Sequence, residues 1–157
     1  MIAEALWTLS RLIATQRVSS LGTLRNGSPH VSLVLYVPSP DYSTFFMLLS
    51  ELAVHTGAIL ADPRVSLLIA EADQVDRDPQ SLARVTLEGE AREIPRDTPE
   101  FEDGRSLYVE RFPGSKMTFG LGGFRLFSLR PRYGRVVAGF AQAFNITTED
   151  LKTASAL

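Results

Sequence analysis

Apolar and polar residues alternate along much of the chain, a pattern typical of strands that bury one face. The longest example is Leu82–Ile94, where small or apolar residues occupy every second position and polar residues lie between them. This alternation predicts a strand with one side packed against a core. Six further apolar or β-branched segments are predicted strands: Val18–Leu24, Val31–Val37, Thr44–Leu49, Val65–Glu71, Phe124–Arg130 and Tyr133–Ala138.

Apolar residues spaced three and four apart mark the helical segments. Ile2–Gln16 carries one such stripe. Glu51–Leu60 is predicted to form a shorter helix, with Ser50 at its N-cap position. We expect Thr98–Phe112 to be helical only in part, because Gly104 interrupts it.

Turn signals join the predicted strands at close intervals. Asn26-Gly27 is a two-residue hairpin signal, and Thr147 or Thr148 is expected to cap a short helix near the C-terminus. Strands outnumber helices and hairpins are frequent, so the pattern favours a small antiparallel barrel over a parallel α/β sheet. We predict a mainly β fold of the β-rich α+β class, with short flanking helices and a single domain over residues 1–157.

Composition narrows the functional classes. Hydrophobic residues make up 45% and charged residues 22% of the 157, as in ordinary globular proteins. The net charge of −2 gives no electrostatic footprint for nucleic acid, and the absence of cysteine excludes disulfides and thiolate chemistry. The N-terminal stretch has no basic region, and its longest uncharged run, Ala5–Ser10, is too short for a membrane span or signal core. We therefore expect a cytoplasmic protein without membrane contact.

Ser50, His55 and Thr56 are the first candidates for binding chemistry. A helix N-terminus presents free backbone N–H groups and a partial positive charge, so it can hold a phosphate. Three side chains able to form hydrogen bonds at one helix start suit phosphate oxygens. The alternative for His55 alone is a partly buried, hydrogen-bonded histidine beside the apolar stripe of its helix.

Three other polar residues have both a structural and a functional interpretation. Arg84 is either a solvated strand arginine or a guanidinium on a phosphate or flavin carbonyl. Ser32 lies in an apolar strand, where it is expected to bond to backbone unless it meets a ligand. Gln142 follows Gly139 and Phe140 in a segment that suggests close backbone approach or a simple turn.

No side-chain catalytic set can be assigned. The only two histidines, His30 and His55, lack metal-ligand spacing, and no nucleophile–base motif is present. A bound organic cofactor would explain how such a chain could still catalyse a reaction.

The chain resembles the pyridoxamine-5′-phosphate-oxidase-like FMN-binding split barrels, and within them the haem-utilisation flavoprotein branch. Four segments between Leu12 and Phe144 carry the resemblance, in the family's order and at plausible spacing. They are L-G-T-L-R-N-G-S-P-H-V-S-L-V-L-Y, L-L-S-E-L-A-V-H-T-G-A-I-L-A-D-P-R-V-S-L-L, A-R-V-T-L-E-G-E-A and V-V-A-G-F-A-Q-A. The second segment is the most specific.

This resemblance implies a homodimer of six-stranded split barrels with FMN at the subunit interface. The strand after the first hairpin would line the flavin ring, and the second segment would hold the phosphate with help from a strand arginine. The late G-F-A-Q-A segment, with Gln142, would reach the flavin from the partner subunit, and Lys116 is a second contact from that side. The implied FMN contacts are, in chain order, Val31, Ser32, Leu33, Val34, Ser50, His55, Thr56, Arg84, Lys116 and Gln142.

The chain also departs from the family's patterns. His55-Thr56-Gly57 stands where pyridoxamine phosphate oxidases usually carry an Arg-Lys pair, and Trp7 is the only tryptophan, so vitamin B6 oxidation is not expected. Haem-degrading relatives use a histidine in a C-terminal extension as a haem ligand. No histidine follows His55 here, so haem ligation of that kind is not expected, although another ligand could serve.

Three functions follow from these patterns. The leading hypothesis is an FMN-dependent oxidoreductase acting on a small molecule of unknown identity. The alternative is a module that binds or sequesters haem or flavin without turnover. A third is a flavin-free barrel with only a dimerisation role, which would leave Ser50, His55 and Thr56 without a function.

Overall fold

Eight antiparallel strands form one curled sheet with five helices around it, and the computed structural model describes all residues, Met1–Leu157. The strands are β1 (Val18–Arg25), β2 (Ser28–Leu35), β3 (Val37–Pro38), β4 (Phe45–Ser50), β5 (Arg64–Ala70), β6 (Arg84–Glu93), β7 (Phe124–Gly139) and β8 (Gln142–Thr147). The helices are α1 (Ala3–Thr15), α2 (Val54–Ala61), α3 (Pro99–Arg111), α4 (Ser115–Gly120) and α5 (Thr148–Ser155). None of these helices has the length and apolar character needed to span a bilayer.

The strand order is β2-β1-β5-β6-β7-β4-β3, with β8 paired to β7. This arrangement is the split barrel predicted from the sequence, so the mainly β fold class is confirmed, although the strands number eight rather than six. The first hairpin is confirmed as well. Asn26 and Gly27 have φ angles of 52° and 78°, the left-handed conformations that a two-residue hairpin turn requires.

The two late strands predicted from the sequence form one 16-residue strand, β7. Gly89 of β6 pairs with Pro131 of β7, and Glu88 of β6 pairs with Tyr133 of β7. Strand β7 therefore bulges between these two pairs. A bulge accommodates proline, which has no N–H to donate to the ladder. Because β7 continues past this point, one end pairs with β4 and the other with β8.

Two hydrophobic clusters lie on the concave and outer sides of this sheet. The larger fills the barrel and is closed by α1, whose Leu9, Leu12 and Ile13 are at most 1% exposed. The smaller lies beneath α3 and α4, around Phe46 and Phe119. Thr147 caps α5 in a reciprocal capping box with Asp150, which confirms one of the two predicted caps.

Arg111, the last residue of α3, joins α3 to the end of α1. Its guanidinium donates hydrogen bonds to the carbonyl oxygens of Ile13 and Gln16 and lies 5.0 Å from the ring centroid of Tyr36. The Tyr36 hydroxyl donates to the same Ile13 carbonyl at 2.9 Å. A cation at the negative end of a helix dipole is favourable, so this contact fixes α3 relative to α1.

The prediction that Gly104 interrupts its helix is wrong, because α3 runs unbroken through it. Gly104 is buried, and a Cβ there would lie 2.7 Å from Cδ1 of Phe46 and 3.0 Å from Cδ2 of Leu126. The glycine is needed so that α3 can pack closely on β4 and β7. Its low helix propensity is outweighed by that packing.

Gly104→Ala is expected to destabilise the protein by roughly 1–3 kcal/mol, because the added methyl overpacks the contact with Phe46. The matched control is Gly57→Ala in α2, where nothing lies within 4 Å of a built Cβ. That change is expected to stabilise the protein by about 0.4–1 kcal/mol. Urea denaturation of both variants measures the difference. Equal effects of the two substitutions would contradict this account of Gly104.

Candidate functional site

A pocket of about 550 Å³ lies between β2, the end of β4, the start of α2 and the α3–α4 turn. Its size is within the range of small-molecule sites, roughly 300–1,000 Å³. Most of its wall is apolar: Leu33, Val34, Leu35, Leu48, Leu49, Ala53, Tyr108, Phe112 and Phe124 are among the residues that line it. The pocket therefore sits where the barrel meets the smaller hydrophobic cluster.

A second cavity of about 520 Å³ lies on the outer face of the sheet. Charged residues such as Arg64, Glu88, Glu90 and Arg132 line it, and none of the predicted site residues does. We therefore place the candidate site in the pocket beside β2, where Leu33, Val34, Ser50 and His55 meet.

His55 is the one histidine that lines this pocket. Its Nδ1 lies 2.8 Å from the Ser32 hydroxyl oxygen, and the pair is partly buried. The hydrogen bond links α2 to β2 and fixes the orientation of the ring. This contact brings together two residues predicted separately and replaces the predicted bond from Ser32 to backbone.

Burial lowers the pKa of His55 below the ordinary 6.5, and the nearby His30 lowers it further. Burial acts in this direction because it disfavours the charged imidazolium. His55 is thus neutral at pH 7, with one ring nitrogen carrying a proton and the other a lone pair. A neutral ring of this kind can accept a hydrogen bond or coordinate a metal, but it adds no positive charge for a phosphate.

The predicted N-cap role of Ser50 is wrong. Helix α2 begins at Val54 with Ala53 as its N-cap, and no side chain caps it. Ser50 instead ends β4, and its hydroxyl oxygen accepts a hydrogen bond from the Leu52 N–H at 3.2 Å. It stabilises the tight turn between the strand and the helix, which is a common use of serine.

Thr56 lies beneath that turn rather than in the pocket. Its side chain is 1% exposed, and its hydroxyl donates to the Ser50 carbonyl oxygen at 2.6 Å. The hydroxyl proton is therefore used within the chain. Ser50 and His55 line the pocket and Thr56 does not, so the three predicted residues do not share it within one chain. Their role in holding a phosphate stays a prediction.

The other predicted residues are distributed over the sheet. Val31 is 67% exposed on the same face of β2 as Leu33, whereas Val34 is buried in the pocket wall. Lys116 is exposed on α4, between the pocket residues Ser115 and Thr118.

Arg84 and Gln142 lie far from the pocket along the sheet. Arg84 pairs in register with Val137, near the end of β7 opposite to the pocket residue Phe124. Its guanidinium donates to the carbonyl oxygen of Leu82 at 2.8 Å. Gln142 begins β8 at the same end of the sheet. Within one chain these two residues do not meet His55.

The sequence interpretation missed the wall formed by α3 and α4. Tyr108 and Phe112 contribute its rings, which lie 5.1 Å apart, and burial raises the pKa of Tyr108 to about 12, so its hydroxyl stays neutral. The spacing of four residues between these aromatics is the signal that could have indicated a shared face. Arg17 also lines the pocket, with its guanidinium 5.2 Å from the Phe112 ring centroid.

These features together suit a flat, largely apolar ligand with a polar edge. Aromatic and aliphatic side chains form the walls, the neutral imidazole of His55 lies at one side, and a guanidinium lies at the other. No carboxylate is among the residues of this chain that line the pocket.

Comparison with known proteins gives three related findings. The sequence pattern of the family described as pyridoxamine 5′-phosphate oxidase matches residues 8–138. Heme oxygenase HutZ of Vibrio cholerae is 29% identical over 80% of this chain and 70% of its own length. The chloroplastic non-canonical heme oxygenase HOZ of Arabidopsis thaliana is 33% identical over 81% of this chain and 37% of its own.

A heme binding protein from Mycobacterium smegmatis has a similar structure, with a TM-score of 0.85 and 26% identity over 98% of this chain. The alignment covers 62% of that chain. The present chain thus spans well under two thirds of the plant protein and slightly under two thirds of the mycobacterial one.

We expect His55 to titrate below pH 6.5 in the folded protein. A lowered pKa in the folded state means that its stabilising contribution is complete above 6.5 and is lost as pH falls through the folded value. NMR titration of the two histidine rings measures this, and His55→Gln assigns the signals. The same variant is expected to flatten the pH dependence of Tm in that window. A His55 signal that titrates at or above 6.5 would contradict the burial argument.

Proposed function

The chain belongs to the pyridoxamine 5′-phosphate oxidase family, and from that premise we propose that it binds haem, in the manner of a haem-degrading or haem-storing protein. One observation carries the proposal: the pocket beside β2 is mostly apolar and has a neutral histidine on its wall. The similarity to two heme oxygenases and to a heme binding protein supports it.

The polar groups of the pocket favour a porphyrin over a flavin phosphate. A phosphate needs several free donors or cations. Here the Thr56 hydroxyl is buried and donates to Ser50, and burial holds His55 neutral, so Arg17 is the one cationic side chain that lines the pocket. A porphyrin needs apolar walls for its ring, which Leu33, Val34 and Phe112 supply. Haem, when bound, supplies an iron centre that can react with oxygen.

Different residues of this chain would contact different parts of the haem. Val34 and Phe112 would exclude water from the ring faces, since their side chains are buried in the pocket wall. His55 would present its free ring nitrogen, which is the one not held by Ser32. The Ser32 hydrogen bond would keep the imidazole from rotating away.

A second candidate is an FMN-dependent oxidoreductase, as expected from the family resemblance. The observation that favours it is the meeting of Leu33, Val34, Ser50 and His55 in one pocket, as the resemblance implies for flavin. FMN, when bound, supplies hydride or electron transfer. Two of the other predicted contacts, Lys116 and Gln142, would then come from a second copy of the chain, as the resemblance implies.

A homodimer is supported by the surface of β2, an edge strand of the sheet. Val31, Leu33 and Leu35 are 67%, 71% and 39% exposed and share one face. Three large apolar side chains on one exposed edge strand are typical of an interaction surface. Because Leu33 also lines the pocket, a partner placed there would complete the binding site. The cytoplasmic location stays a prediction.

We expect the purified protein to take up haem at one equivalent per chain, with a Soret band that saturates. Thr118→Trp should weaken this uptake about tenfold or more, because the larger side chain occupies the pocket lined by Thr118. The matched control is Met117→Trp on the same helix, which is 77% exposed and outside the pocket.

Absorbance spectroscopy separates the two candidates. Saturable haem uptake that is weakened in Thr118→Trp and unchanged in Met117→Trp supports the proposal. Uptake of FMN with flavin bands at one equivalent, and no haem binding, would replace it with the flavoprotein function. Binding of neither ligand would overturn both.

We expect the wild-type chain to sediment at twice its mass of 17.3 kDa. Val31→Glu should shift it toward the monomer, because a charge on the exposed apolar face of β2 would be buried without a partner. Val75→Glu is the control, since Val75 is fully exposed in the loop before β6. Analytical ultracentrifugation measures the distribution. A monomeric wild-type protein would contradict the homodimer.

A further inference from the structure

Arg17 is the only arginine or lysine that lines the pocket beside β2. It follows the end of α1, and its side chain forms no ion pair and no hydrogen bond within the protein. Most other arginines have a partner. Arg11, Arg64, Arg77, Arg92, Arg125, Arg130 and Arg132 pair with carboxylates.

The reason that Arg17 is free lies in Arg111. A cation near the end of α1 would ordinarily bind the last carbonyl oxygens of that helix. Here Arg111 already donates to the carbonyls of Ile13 and Gln16, so the helix end is satisfied without Arg17. The guanidinium of Arg17 instead lies 5.2 Å from the Phe112 ring centroid.

This contact positions the charge while leaving its donors available. A guanidinium held over an aromatic face keeps its N–H groups at the edge of its plane, where they can bind an anion. Carboxylates match that donor pattern with two parallel hydrogen bonds. Because Arg17 is exposed and Phe112 is buried, the charge lies at the open side of an apolar pocket.

We propose that Arg17 is the anion-binding residue of this pocket and that it selects planar ligands that carry a carboxylate. The proposal rests on the haem-binding function proposed above and names the group that would orient the ring. A ligand with an apolar ring and carboxylates at one edge would place the ring against Val34 and Phe112 and a propionate on Arg17. His55 lies on the α2 side of the same pocket, so the two residues would fix two different parts of one ligand.

The experiment compares haem with haem dimethyl ester, in which both propionates are neutral esters. Wild-type protein and Arg17→Gln are titrated with each ligand, and the dissociation constants are read from the Soret band. Arg17→Gln is expected to bind haem about 10-fold to 100-fold more weakly and the ester with unchanged affinity. Arg17→Lys is expected to recover only part of the loss, because lysine lacks the two-pronged donor geometry.

Arg105→Gln is the matched control. Arg105 also lies over a phenylalanine ring, 5.7 Å from the Phe119 centroid, and it does not line the pocket. Arg105→Gln removes the same charge and the same kind of aromatic contact as Arg17→Gln, but on α3 and outside the pocket. The control should bind haem as the wild type does, and a Tm close to that of the wild type in all variants excludes unfolding as the cause.

Salt provides an independent readout. The affinity of the wild type for haem should fall as ionic strength rises, because an exposed charge pair is screened, while that of Arg17→Gln should change little. Equal weakening of haem and ester in Arg17→Gln, or equal weakening by Arg105→Gln, would overturn the role of Arg17 and leave haem binding intact. A wild type that binds neither haem nor its ester would overturn the proposed function and this role with it.

Discussion

The structure depends on one partly buried cation, the guanidinium of Arg111. It bridges the last residue of α3 and the carbonyl oxygens at the end of α1, positions separated by most of the chain. Removing a cation from water is costly, and its Nε is buried without a partner, so the carbonyls and the Tyr36 ring must compensate. The Arg111 contacts hold α3 where Tyr108 and Phe112 can form a pocket wall opposite β2.

The pocket exists because two hydrophobic clusters meet there without merging. The barrel cluster ends at Val34 and Leu49, and the smaller cluster begins at Tyr108 and Phe112. Gly104 sets how closely α3 approaches β4, since a side chain at that position would collide with Phe46. The close packing of α3 on β4 and the open pocket at the end of α3 thus both follow from where the backbone of α3 lies.

Local patterns in the sequence were sufficient for much of the fold. The Asn26-Gly27 turn, the alternation along β6 and the Thr147 cap are each encoded by neighbouring residues, and each was predicted. Contacts between distant residues were not. Nothing near Arg111 indicates that its partners lie at the end of α1, and Gly104 resembles a helix breaker until Phe46 is placed against it. For the site, the family resemblance implies Leu33, Val34, Ser50 and His55 as one group, and these four line the pocket, while Arg17 and the α3 wall depend on tertiary packing.

The state of His55 connects the fold to the choice of ligand. Three side chains able to form hydrogen bonds at a helix start suit a phosphate, which is the interpretation from the sequence. Folding instead turns the Thr56 hydroxyl inward to Ser50 and buries the imidazole against Ser32, where the neutral form is favoured. Within one chain, this strand–turn–helix segment therefore presents a neutral imidazole to the pocket. The positive charge that lines the pocket comes instead from Arg17, which follows the end of α1.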